Sequence, residues 1–257
     1  MVSQIAFLYF ASLAWGCLTL LPVVKLQEVG QGFYRFFGFT CVALQTAAVG
    51  IAILMGPSFS EDLRRAAWAL GVCLFFTLCF AVALKIRVRW FLWSCFWLAV
   101  ASGLGVVGYF PWGEGPHWLL TGVHVVSSAL VMGAVILAMM LGHWYLVTPK
   151  LSITPLKRYS AGYILLTCWM ALQIVLSWFL YGGSGEEGNV LRREMIFILF
   201  RTSWGLLAPL GLSYWIWVTV KMKSTQSATG ILYAAMICTM MGEAMGLYLT
   251  LRTGVPF

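Results

Sequence analysis

Charge is what this sequence has least of. Asp, Glu, Lys and Arg together make up 9% of its 257 residues, and only eight residues are acidic, whereas soluble globular chains carry about a quarter charged residues. That shortage leaves no segment able to form the surface of a soluble domain. Histidine is rare as well, with three in the chain. The seven cysteines, at positions 17, 41, 73, 79, 95, 168 and 238, all fall inside apolar runs with no C-x-x-C pair and no Cys/His cluster. They read as small buried hydrophobes, so neither a structural disulfide nor a zinc site is expected. There is no Gly-rich phosphate loop, no nucleophile constellation, no low-complexity stretch and no repeat that survives residue-by-residue comparison, which argues against an independent soluble-type enzyme.

What is abundant is apolar: 61% hydrophobic residues, 16% aromatic, with a mean hydropathy of +0.91. About eight runs of roughly 18 or more apolar residues are each long enough to cross a hydrocarbon core of about 30 Å. The expected fold is therefore all-α, a polytopic membrane helix bundle forming one integral membrane domain over 1–257. The first run opens at Ser3 without a basic leader or a small-residue cleavage site, so it reads as a retained helix rather than a signal peptide. Later runs are separated by breaks such as Gly56-Pro57, Pro111 to Trp118, and Gly182 to Asn189. A kink is expected at Pro209 within the seventh.

The formal charge of +8 does not indicate nucleic acid, because the cations lie in loops rather than on one soluble face. Loops after spans 1, 3, 5 and 7 hold Lys25, Arg35, Lys85, Arg87, Arg89, Lys150, Lys157, Arg158, Lys221 and Lys223, ten in all, against Glu28 alone. The opposite side holds five, Arg64, Arg65, Arg192, Arg193 and Arg252, with six acids: Glu61, Asp62, Glu114, Glu186, Glu187 and Glu194. Since basic loops stay inside, both termini are expected outside, in the periplasm of a bacterial cytoplasmic (inner) membrane.

Arg201 and Glu243 stand within neighbouring apolar runs, where each charge costs roughly 2.5 to 3.5 kcal/mol even on lenient insertion scales. With a rise of about 1.5 Å per residue, Arg201 and His124 come about 9 Å below the outer boundary, and Glu243 about 22 Å from the inner one. Gln45 and Gln173, each about fourteen residues along outward-running helices, reach a similar depth. Five polar side chains thus share one layer of the outer half. A structural ion pair with interhelical amide bonds accounts for such a layer without any ligand. A ligand site accounts for it as well, since intramembrane ionisable groups mark functional sites by default.

A bis-histidine haem does not fit one chain, because His117, His124 and His143 all lie on or beside span 5, and His124 and His143 are about 28 Å apart along it. A quinol, menaquinol or ubiquinol, fits better: its ring and tail enter from lipid, and its hydroxyls need a proton acceptor and hydrogen-bond partners. Glu243 or His124 would accept protons, Arg201 would hold Glu243 ionised, and Gln45 or Gln173 would position an oxygen. At the inner interface His143-Trp144-Tyr145, with Lys150 beyond, reads either as an aromatic belt or as a docking surface for partner subunits, to which Glu28 would also belong. No metal ligand set is expected.

Phe200-Arg201-Thr202 in span 7 and Gly242-Glu243-Ala244-Met245-Gly246 in span 8, in a chain of eight spans, resemble the membrane-anchor subunits of molybdopterin oxidoreductases of the dimethyl-sulfoxide-reductase and polysulfide-reductase type. The resemblance covers about residues 196 to 248. It implies a haem-free, quinone-exchanging subunit that docks an iron-sulfur protein and a catalytic subunit, in a respiratory or photosynthetic electron-transfer complex. A small-solute or ion transporter using Arg201 and Glu243, and a structural or assembly subunit without a ligand, are the competing readings. Paired broken helices, the mark of many transporters, are not seen in the sequence.

Overall fold

The computed structural model describes residues 1–55, 60–86, 89–108, 118–148, 151–181 and 193–256. Among them there is no strand, and eight helices are long and apolar enough to cross a membrane. This is the architecture of a multi-pass membrane protein. Backbone polar groups in hydrocarbon must be satisfied within their own segment, and an all-helical chain does that. The helices are α1 (Val2–Leu20), α2 (Leu26–Met55), α3 (Glu61–Ile86), α4 (Arg89–Gly108), α5 (Trp118–Val147), α6 (Thr154–Tyr181), α7 (Met195–Lys221) and α8 (Thr225–Thr253). The expected breaks at 56–59, 111–117 and 182–189 lie outside the described residues.

The chain divides into two compact units, Met1–Pro111 and Trp112–Phe257. In the first, α1 packs on α2, α2 on α3, α3 on α4, and α4 returns to α1. Small residues allow the closest approaches: Gly38 faces Ala81, and Gly103 faces the Trp15 ring. Trp15 donates its indole N–H to the Val100 carbonyl at 3.0 Å, satisfying a polar atom that is otherwise costly in an apolar interior. Phe80 and Phe96 meet edge to face at 5.4 Å between α3 and α4.

The second helix begins at Leu26 but is interrupted at Gly30, where φ 84° and ψ 162° lie in a region open essentially only to glycine. Leu26–Val29 therefore form a separate turn ahead of the spanning helix. Tyr34 anchors it, its hydroxyl lying 2.6 Å from the Val24 carbonyl and 3.2 Å from that of Leu21.

In the second unit α5 packs on α6, α6 on α7, α7 on α8, and α8 on α5. Gly142 of α5 sits against Thr229 of α8. Each unit is thus a closed four-helix ring, with large apolar side chains such as Trp68, Leu165, Phe179 and Ile196 left on its outside. Surface of that kind is matched to lipid rather than water.

Substituting Gly103→Ala places a methyl group against the Trp15 indole. Overpacking of this kind costs about 1 to 3 kcal/mol. The variant is expected to show a lower thermal transition in detergent and reduced yield, whereas Gly71→Ala, whose added carbon would meet nothing within 4 Å, should leave both unchanged.

Candidate functional site

The seventh helix is not regular. It runs as α-helix over Met195–Thr202, widens into a π turn over Ser203–Leu207, and resumes as α-helix over Ala208–Lys221. The cause is Pro209. Proline has no N–H, and its ring crowds the carbonyl four residues back, here that of Gly205. The chain answers by an i→i−5 bond from the Ala208 N–H to the Ser203 carbonyl, and the Gly205 carbonyl takes a hydrogen bond from the Arg201 guanidinium, Nη1 to O at 3.4 Å. The irregularity that accompanies Pro209 is a widening of the helix one turn before the proline. Such π bulges recur at functional sites.

Arg201 and Glu243 meet directly. The Arg201 Nη2 donates to Glu243 Oε1 at 2.9 Å, with 1% of one side chain and 2% of the other exposed. Those exposures place the pair in the buried regime, where loss of one partner strands a charge, rather than in the surface regime, where pairs contribute little. The second carboxylate oxygen accepts a short hydrogen bond from Ser128 Oγ of α5. Two glycines make room for this. A Cβ at Gly205 would fall 2.5 Å from the Cα of Gly242 and 2.9 Å from Arg201 Nη1, and a Cβ at Gly242 would equally run into Gly205. The backbones of α7 and α8 touch there, with the guanidinium lodged beside the contact.

A second polar group adjoins the first through consecutive residues of α5. Ser127 gives its proton to the Val123 carbonyl at 2.7 Å, so its oxygen is left to accept: from Trp169 Nε1 at 3.0 Å and from Gln173 Nε2 at 3.1 Å. That commits the Gln173 amide nitrogen and leaves Oε1 buried with no partner among the described residues. The Ser177 hydroxyl, one turn on along α6, and Arg201 Nε are in the same state. Trp169, one turn back, is 45% exposed, so the buried amide stands behind a ring open to the outside of the helix ring. Tyr163 and Thr239 add a hydroxyl pair at 2.9 Å, one turn from Glu243 on α8. His124 is buried on α5 one turn before Ser128, a spacing that puts the two on the same helix face.

Of the five residues expected in one layer, Arg201, Glu243, Gln173 and His124 belong to the second unit. Gln45 belongs to the first, where its amide nitrogen donates to Cys73 Sγ at 3.2 Å. Sequence reasoning missed Ser127, Ser128 and Trp169, and it missed Gly205 and Gly242 as a contact. Gly242 lies beside Glu243, and Gly205 lies four residues from both Arg201 and Pro209. Small residues flanking charged ones were the available signal.

Among the expected docking residues, His143 is exposed and Glu28 half-buried. The Glu28 carboxylate accepts the Lys25 backbone N–H at 3.1 Å. Tyr145 is buried and donates its hydroxyl to the Ser152 carbonyl. Lys150 lies outside the described residues, as does His117. No cluster of His, Cys, Asp and Glu among the described residues has the make-up of a metal site. Comparisons of the chain with protein-family models, with curated proteins and with solved structures return no match.

Replacing Arg201 by Met leaves Glu243 with Ser128 alone as a partner in an apolar interior and is expected to destabilise the second unit by about 3 to 5 kcal/mol. The double variant Arg201→Met/Glu243→Met removes both charges and should recover most of that loss, measured as thermal stability in detergent. A double variant as unstable as Arg201→Met alone would show that the pair does not act as a unit.

Proposed function

We propose that this chain is the quinone-exchanging membrane-anchor subunit of a multi-subunit respiratory or photosynthetic electron-transfer complex, with the quinone head held in its second unit. The observation that carries the reading is the Gln173 amide. Its nitrogen is committed, its oxygen is buried and lacks a donor, and a buried acceptor left empty costs about 1 to 3 kcal/mol. A quinol hydroxyl is a donor of the right kind, carried on an apolar ring that reaches the site from lipid past Trp169.

Oxidation of a quinol to a quinone releases two protons and two electrons. His124 and the Glu243 carboxylate, reached through Ser128, are the buried groups able to take protons, and the electrons pass to a redox partner. Arg201 pairs directly with the Glu243 carboxylate. In this reading the partners are an iron-sulfur and a catalytic subunit, as in the anchor subunits that the Arg201 and Glu243 segments resemble. Both termini face the periplasm of a bacterial inner membrane, as the excess of basic residues in the loops after spans 1, 3, 5 and 7 implies.

One observation favours a second reading, a structural subunit without a ligand of its own. Both Glu243 oxygens are already occupied, and the Gly205–Gly242 contact makes the pair a clamp between α7 and α8.

The two separate on extraction. The quinone reading expects near-stoichiometric menaquinone or ubiquinone to accompany the protein purified in mild detergent. Gln173→Leu should lower quinone affinity about tenfold at unchanged thermal stability, the equivalent of one hydrogen bond to a buried acceptor. Purified protein with no quinone, and no binding of added quinone by the unmodified chain, would overturn the reading and leave the clamp.

A further inference from the structure

The first unit contains a cavity of about 880 Å³ that the quinone reading does not use. Two cations line it: Lys25, in the turn between α1 and α2, and Arg89, at the start of α4. No carboxylate lines it among the described residues, and the ion pairs among those residues involve neither cation. The nearby Glu28 carboxylate is bonded to the Lys25 backbone instead. The rest of the wall combines the apolar Leu26, Leu84, Leu92 and Trp93 with Gln27, Gln31 and Tyr34. We propose that this cavity binds the phosphate headgroup of an anionic phospholipid, held by Lys25 and Arg89, with the first part of its acyl chains against the leucines.

Three features favour a lipid. Both cations stand at the ends of apolar spans, which is where headgroups lie. Lys25 comes from the turn after α1 and Arg89 from the start of α4, so a phosphate between them relieves the repulsion of like charges. Apolar side chains continuous with two cations that have no ion pair among the described residues are complementary to an amphiphile and not to a free ion. The cavity is also built rather than incidental. Gly30 lines it in a backbone conformation that only glycine adopts readily, and the Tyr34 hydroxyl holds the opposite carbonyls at Leu21 and Val24.

The full-length protein, stripped of lipid in detergent, is titrated with phosphatidylglycerol and with phosphatidylcholine, and bound lipid is counted by native mass spectrometry. The expected result is one phosphatidylglycerol per chain, preferred over phosphatidylcholine. Affinity should fall roughly thirty-fold in Lys25→Gln/Arg89→Gln, from about fivefold per cation near a membrane surface. Lys25→Arg/Arg89→Lys should retain it, which controls for folding, as should Arg64→Gln/Arg65→Gln, whose cations are already paired with Glu61 and Asp62. Equal binding of the two lipids, or an undiminished count in the charge-removed variant, would overturn the proposal. So would displacement of the bound lipid by millimolar inorganic phosphate, which would assign the cavity to a free anion.

Discussion

A guanidinium and a carboxylate taken out of water together govern the second unit. Neither ion is tolerable alone in an apolar interior, so Arg201 and Glu243 have to meet, and everything around them is arranged for it. Helices α7 and α8 touch at Gly205 and Gly242 because any side chain there would occupy the space of the guanidinium. The π turn in α7 exists because Pro209 cannot bond the Gly205 carbonyl, and Arg201 donates to that oxygen instead. Ser128 closes the remaining carboxylate valence from α5. One ion pair thus ties three of the four helices of the ring.

The same constraint explains why the unit has both a finished and an unfinished half. Both oxygens of Glu243 are filled, by Arg201 and Ser128. Around Gln173 the hydrogen-bonding capacity is not filled: the amide oxygen and the Ser177 hydroxyl lack partners among the described residues, although both residues are buried. Interiors rarely leave such groups empty, since each carries its desolvation cost. Such an unsatisfied acceptor, one turn from the half-exposed Trp169, is the feature on which the proposed quinone site rests. In the first unit the buried Trp15 indole and the Gln45 amide nitrogen are turned onto a carbonyl and a thiol, Gln45 Oε1 is left without a partner among the described residues as Gln173 Oε1 is, and two cations line a cavity at the ends of the spans.

Much of this was legible before any coordinates. Eight apolar runs yield eight spanning helices, because length and hydropathy alone decide whether a segment crosses a membrane. The meeting of Arg201 with Glu243 was legible too, since a constant rise per residue converts position in a span into depth, and two opposite charges at one depth have every reason to pair. Ser127 and Ser128 were not legible, for serine on a membrane helix ordinarily bonds the carbonyl one turn back, and nothing in the sequence separates the Ser128 that reaches Glu243 from the Ser127 that first bonds Val123. Gly205 and Gly242 looked like any of 26 glycines. Tyr145 read as an interface residue because its neighbours are aromatic and basic, yet its hydroxyl finds a backbone carbonyl within its own turn.

By itself the sequence determined that the chain folds into helices long and apolar enough to span a membrane. Rotation about each helix axis and the choice of neighbours were decided only in the tertiary structure. Those depend on where small residues let backbones approach, a property of surfaces in contact and not of any one segment. Gln45 shares its predicted depth with Gln173, yet the first is bonded to Cys73 in one ring and the second to Ser127 in the other.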